Sequence, residues 1–280
     1  MSTARREGVA LGFDAYSPRE IAARVQAAGV AKARSDALSV LVLAVLAGAF
    51  ISLGALFFTV VVTGAGFGYG VNRLLGGVAF SLGLILVVVG GGELFTGNNL
   101  VAMAWASGLV STRDLLRNWA LAYAGNVIGA LGTAGVVLLG GVDRGNGGAV
   151  GDTAIAIGHS KAALGFIHTL ALGVMCNALV CLAVWLAMGG RTVADRVLGI
   201  AFPIAAFVTI GFEHSIANWF FLPYAMALDW GSPAASEMAT GAVVNIVAAT
   251  LGNIIGGSLL VAGVYWLAYL RPGAQPGPAA

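Results

Sequence analysis

Six apolar runs dominate the chain, each long enough, at roughly 20 residues, to cross a bilayer as a helix. They fall at residues 37–63, 74–106, 119–139, 162–188, 197–228 and 238–270. Two of them are interrupted by polar residues. The second breaks at 93–99, inside GGELFTGNN, and the fifth at 211–218, GFEHSIAN. The breaks lie 120 residues apart and share a layout, with Glu93 answering to Glu213 and Asn98 to Asn218.

A second recurrence supports the first. YAGNVIGA in the third run resembles TLGNIIGG in the sixth, at an offset of 127. Three spans per repeat is an odd number, so the second copy enters the bilayer from the opposite side. The pattern therefore predicts an all-α integral membrane protein, an inverted 3+3 repeat with helices two and five broken. In such folds the broken helices meet near the midplane and line the pathway. Glycines spaced by four in the third and sixth runs predict close helix packing.

The first 36 residues predict a separate element. Ser17-Pro18-Arg19-Glu20 is a helix start, and Ile21, Val25 and Ala28 follow at helical spacing. An amphipathic helix over 14–33, lying along the membrane face, is expected. The channel domain then covers 37–271, with repeats at about 37–139 and 162–270, and a tail covers 272–280. The polar, glycine-rich stretch 140–161 reads as a connection.

The cations fix an orientation. With the N-terminus in the cytoplasm, eleven of the Lys and Arg residues lie inside, and only Arg73, Arg144 and Lys161 lie outside. The positive-inside rule then predicts a multi-pass protein of the inner (cytoplasmic) membrane, with both termini cytoplasmic. Composition agrees. Apolar residues make up 59% and charged residues 9%, against about 25% charge in soluble domains. A net charge of +2 is too small to suggest nucleic acid. Cys176 and Cys181 sit in one apolar run, off a common face, and read as packing residues.

Of twelve acidic residues only Glu93 and Glu213 fall inside the apolar runs. Each sits at a helix break, where freed N–H groups need acceptors, so both are expected to hold the breaks together. Asn98 and Asn218 are expected to share that task. His214 has Leu94 as its counterpart and so has no twin. An imidazole titrates near neutrality, so it could give a proton to a weak-acid anion or offer it positive charge. Thr96 and Asn177 are further candidate pore liners, and Lys161 a candidate anion attractor. Phe80, Leu84, Leu94, Phe95, Val180 and Phe207 are large apolar residues expected to face the pathway.

The breaks GGELFTGNN and GFEHSIANWFFLP resemble the two signature motifs of the formate–nitrite transporter family. FSLGLIL (80–86), NALVCLAVW (177–185) and GNIIGG extend the resemblance over nearly the whole chain. The resemblance implies a homopentamer of aquaporin-like protomers, each with its own pore for small monovalent anions. It implies a central histidine at His214 beside Glu213. It places a cytoplasmic constriction at Phe80, Leu94, Phe95, Thr96 and Phe207, a periplasmic-side pair at Asn177 and Val180, and a vestibule lysine at Lys161. Glu93 resembles nitrite-type members, whereas Phe212 and the FFLP after Asn218 resemble the formate branch. Formate is the expected anion, with nitrite or hydrosulfide as the alternative.

The implied partners are the anion, protons, membrane lipid and copies of the chain; no cofactor or metal is implied. His214 either protonates the anion in transit or stays charged while the ion passes. Two other classes are weaker. A membrane enzyme would need more than adjacent Glu213 and His214, which diverge by about 100° on a helix. A neutral-solute facilitator would carry paired Asn-Pro-Ala breaks, which the sequence lacks.

Overall fold

The computed structural model describes residues 15–64 and 66–274. Residue 14 of the expected first helix, Arg5, Arg6 and residues 275–280 of the expected tail lie outside the described residues. Among the described residues the regular structure is helical.

Helix α1 (Pro18–Arg34) starts at a capping box: Ser17 Oγ accepts from the Glu20 N–H, and the Glu20 carboxylate accepts from the Ser17 N–H. Ile21, Ala22 and Val25 are buried with Leu100, Met103 and Trp185, and Ala33 with Val101 and Leu115. The apolar face that was expected to meet the membrane is therefore covered by protein. The physical reason is that the other helices leave a matching apolar surface directly beneath it.

Helix α2 (Ala37–Val62) runs away from the α1 end, and α3 (Tyr69–Gly90) runs back. The first break follows, then α4 (Phe95–Asn98), a 3-10 turn (Asn99–Val101) and α5 (Ala102–Ala106). Helix α6 (Thr112–Leu139) crosses again. The stretch 140–161 is not only a connection: it holds α7 (Ala149–Ala162), a 14-residue helix at the far end. Lys161 belongs to the last turn of α7 rather than to the start of the fourth span, because α8 (Phe166–Gly189) begins after a short turn. Then come α9 (Val193–Ile210), the second break, α10 (Ser215–Leu228) and α11 (Ala235–Ile254). Wider π-type turns at Ile255–Gly263 and Trp266–Leu270 continue α11.

The helices long and apolar enough to cross a membrane are α2, α3, α6, α8, α9 and α11 with its continuation, six in all. With α3 and α9 each followed by a break and a shorter helix, this is the expected 3+3 arrangement. Small residues set the packing. A Cβ at Gly129 would run into the Val45 carbonyl of α2, and one at Gly256 into the Val174 carbonyl of α8. These are equivalent seams in the two halves, offset by 127 and 129. Val136, Leu139 and Phe202 point outward, 69%, 91% and 76% exposed. Such apolar outer faces suit lipid or neighbouring protein rather than water. Cys176 and Cys181 are free and buried.

Candidate functional site

Gly91 and Gly211 end α3 and α9 with φ of 90° and 93°. An L side chain there would be strained, and glycine is not. Each chain then runs back extended through three residues and starts a new helix, α4 at Phe95 and α10 at Ser215. The two new N-termini meet. Thr96 Oγ1 lies 3.0 Å from His214 Nε2, and both residues are buried. His214 also caps α10, its Nδ1 accepting from the Ala217 N–H at 3.1 Å. A ring nitrogen that accepts carries no hydrogen. The neutral ring's hydrogen therefore sits on Nε2, facing Thr96.

Around each break stands the same set of polar groups. Lys32 Nζ donates to Glu93 Oε1 at 2.6 Å, and Asn98 donates to Glu93 Oε2 at 2.7 Å. Asn98 also donates to Asn118 Oδ1 (3.0 Å), and Asn118 donates to the Lys32 carbonyl (3.1 Å). In the second half Lys161 Nζ donates to Glu213 Oε1 at 2.9 Å, and Asn218 to Glu213 Oε2 at 2.7 Å. Asn218 donates to Asn245 (2.6 Å), and Asn245 to the Lys161 carbonyl (3.1 Å). These four bonds match one for one, and the second half adds a donation from Asn245 to Glu213 Oε2 at 3.1 Å.

The freed backbone groups are met by a different pair from the one expected. Asn126 donates to the carbonyls of Ala44 and Glu93 and accepts from the Phe95 N–H. Asn253 donates to the carbonyls of Gly173 and Glu213 and accepts from the Ser215 N–H. An amide carries donors and an acceptor together, which a carboxylate cannot. The glutamates instead bind Lys and Asn side chains.

A cavity of about 450 Å³ opens on the side of α7 and reaches His214. Lys161, Glu213, Phe80 and Phe207 line it, with Arg73 nearer α9. Phe80 and Phe207 meet edge to face, 5.6 Å between centroids. They were expected on the cytoplasmic side with Leu94, Phe95 and Thr96, but they stand on the Lys161 side of His214. Helix rise puts Phe207 only three residues from the far end of α9, and Phe80, mid-way along α3, meets its ring there on the cavity wall. Leu84, one turn further along α3, is buried outside the cavity wall, as are Leu94 and Thr96.

Phe95 turns its ring into α6, edge-on to Tyr123 at 4.9 Å and Trp119 at 6.3 Å. Asn177 lies half-way along α8 and donates to the carbonyls of Thr96 and Asn253 and to Asn99 Oδ1. It ties the two breaks together at the centre, not toward the periplasmic side. Val180 is one turn nearer the α1 end. At that end α1 leaves a gap of only about 30 Å³, lined by Lys32, Gly97 and Val184 among others.

Sequence reasoning did not single out Lys32, Asn118, Asn126, Asn245 or Asn253. Asn126 and Asn253 did carry a signal, since both stand in the repeated Gly-Asn-x-Ile-Gly. His159, on α7, bonds Asp229 at 3.0 Å.

A family model described as formate/nitrite transporter matches residues 19–267. The chain belongs to the formate/nitrite transporter family. It is 39% identical to the formate channel FocA of Escherichia coli (strain K12), over 92% of this chain and 96% of the other. It is 37% identical to a probable formate transporter of Methanothermobacter thermautotrophicus, over 93% and 100%. Among solved structures, a pentameric formate channel with formate bound superposes with a TM-score of 0.76 at 43% identity, covering 84% of this chain and 98% of that one. An FNT family ion channel gives a TM-score of 0.77 at 27% identity, covering 89% and 98%. As a member of this transporter family with six crossing helices, the chain is a multi-pass membrane protein.

Proposed function

We propose that this family member is a homopentameric channel for small monovalent anions, formate foremost, with His214 handling the proton that accompanies the anion. The observation that carries the reading is the Thr96–His214 contact at the base of the Lys161 cavity, where two helix N-termini converge. Relatives named as formate channels support the choice of anion.

The physical problem is the cost of a bare charge in hydrocarbon, several kcal/mol or more. Three features reduce it. Lys161 gives the entering anion a nearby cation. The N-termini of α4 and α10 point about half a unit of positive charge each at the centre. Phe80 and Phe207 narrow the approach and exclude water. At the centre an anion that displaces Thr96 meets the Nε2–H of His214. A second proton can enter the ring only at Nδ1, which releases the Ala217 N–H; Nε2 then gives its own proton to formate, forming formic acid and leaving a neutral imidazole protonated at Nδ1. The neutral acid then crosses Leu84 and Leu94.

A non-enzymatic role fits the same geometry. The Glu213 carboxylate is engaged by Lys161, Asn218 and Asn245, and among the described residues the His214 ring meets the Ala217 N–H and Thr96 rather than a carboxylate. The α1 end carries Arg24, Lys32, Arg34, Arg117 and Arg191, which argues for a cytoplasmic placement of both chain ends in the cytoplasmic membrane. Residues 37–271 then form the channel domain, with α1 as its cytoplasmic cover.

Uptake by proteoliposomes in competition with nitrite, acetate, lactate and hydrosulfide, at two pH values, tests the reading. Formate uptake blocked best by unlabelled formate supports it. Preference for nitrite or hydrosulfide would move the anion within the family, and preference for a neutral solute would overturn it.

A further inference from the structure

The cavity wall carries two cations, and they differ in what neutralises them. Lys161 sits 2.9 Å from Glu213 Oε1, so at the cavity this pair carries no net charge. Arg73, on the first turns of α3, meets no carboxylate among the described ion pairs. Its Nε donates to the Thr209 carbonyl at 3.2 Å, and its Nη2 to the Val208 carbonyl. Those carbonyls belong to the last turn of α9, which ends at Ile210. The guanidinium also lies over the Phe58 ring, 5.3 Å from its centroid, and lines the cavity with Thr153, Ser160 and Lys161.

A helix C-terminus offsets about half a unit charge. A unit cation on Arg73 therefore leaves about half a unit uncancelled, whereas Lys161 and Glu213 cancel almost wholly. We infer that Arg73 supplies the net positive potential that recruits anions into the Lys161 cavity, making it a specificity-determining residue of the mouth. The inference rests on the anion-channel reading. Lys161 then acts at close range, as a donor beside Glu213, and Arg73 acts at a distance through its field.

The test is the apparent KM for formate in proteoliposomes holding the full chain, from about 20 mM to about 300 mM of an impermeant salt, a range over which charge–charge attraction is screened strongly. Wild type should show a KM that rises several-fold with salt. Arg73→Gln keeps donors for the α9 carbonyls but removes the charge. Its KM should be raised about five-fold at low salt and be nearly flat with salt, with kcat little changed. Arg73→Lys restores the charge without the planar fork and should recover both KM and salt dependence.

Thr153→Asp places a negative charge on the cavity wall from α7, without touching the α9 carbonyls. It should reproduce the Arg73→Gln phenotype, and it carries the test should Arg73→Gln fail to assemble. A wild-type KM and salt dependence in Arg73→Gln or Thr153→Asp overturn the assignment. So does an Arg73→Lys as defective as Arg73→Gln, which would mark capping of α9 as the residue's only role. Wild-type protein that carries no small anion overturns the anion-channel reading and the assignment together, an outcome separate from those.

Discussion

Thr96 Oγ1 stands 3.0 Å from His214 Nε2, joining the two breaks through residues 118 apart in the chain. The repeat gives this contact no polar twin. The equivalent positions are Leu94 and Ile216, both buried and apolar. The protein thus builds a symmetric frame and places one asymmetric polar contact at its centre. Thr96→Val removes the acceptor and leaves the Nε2–H unpaired. An unmet buried donor costs about 1–3 kcal/mol, so formate flux should fall on the order of ten-fold or more while the protein still assembles. Thr96→Ser should keep most of it. Initial uptake rates in proteoliposomes measure both.

The ion pairs rank differently by burial. Lys161 and Glu213 are 16% and 4% exposed, against 30% and 13% for Lys32 and Glu93. Removing one partner of a buried pair costs about 3–5 kcal/mol because a charge is left behind. Lys161→Met should therefore destabilise the fold more than Lys32→Met. Adding Glu213→Gln to Lys161→Met should recover part of the loss. Thermal unfolding in detergent, run as a double-mutant cycle, reads the difference, and equal Tm losses for the two lysines would contradict the ranking.

Gly129 lies against the Val45 carbonyl of α2, whereas Gly132, one turn on, has nothing within 4 Å of an added Cβ. Gly129→Ala should force the α2–α6 seam apart, at about 1–3 kcal/mol. Gly132→Ala should be neutral or slightly stabilising, since helical glycine costs about 0.5–1 kcal/mol relative to alanine. Tm values of the two variants check the contrast.

The α1 capping box gives a pH dependence. The Glu20 carboxyl is held below its ordinary value of 4.5, chiefly by the Ser17 N–H and then by the Ser17 hydroxyl. A depressed carboxyl contributes stability that is present above the ordinary value and is lost as pH falls through the folded one. The start of α1 should hold from neutral pH down to about the ordinary carboxyl range and loosen below it. Glu20→Gln should weaken the cap already at neutral pH. A spin label on the exposed Ala27, compared between neutral pH and about pH 3, measures it.

The six spans, both breaks and the inverted repeat were legible because each is a local signal: apolar length, a polar interruption, a recurring Gly-Asn. The match between Glu93 and Glu213 was legible for the same reason. The partners were not. Lys32 reaches Glu93 across 61 residues and Asn245 reaches Glu213 across 32, and nothing local in KARSD or VVNIV marks them. Helix α7 was hidden because its stretch is short, glycine-rich and polar, with no long apolar face. Phe80 and Phe207 were put on the wrong side because a resemblance supplies positions in a motif but not depth, whereas the position of Phe207 near the end of α9 and its ring contact with Phe80 do. Phe95 reads as pathway-facing only until α6 is in place, where Trp119 and Tyr123 take its ring.

His214 and its proton are the centre of the proposed transport. Purified protein in liposomes with an internal pH dye is given an inward formate gradient, and uptake and internal pH are recorded together. Wild type should take up formate with matched internal acidification, and uptake should rise as external pH falls. His214→Phe should assemble normally and lose that pH dependence. Wild-type uptake without acidification, or a His214→Phe variant with unchanged pH dependence, would contradict the central claim.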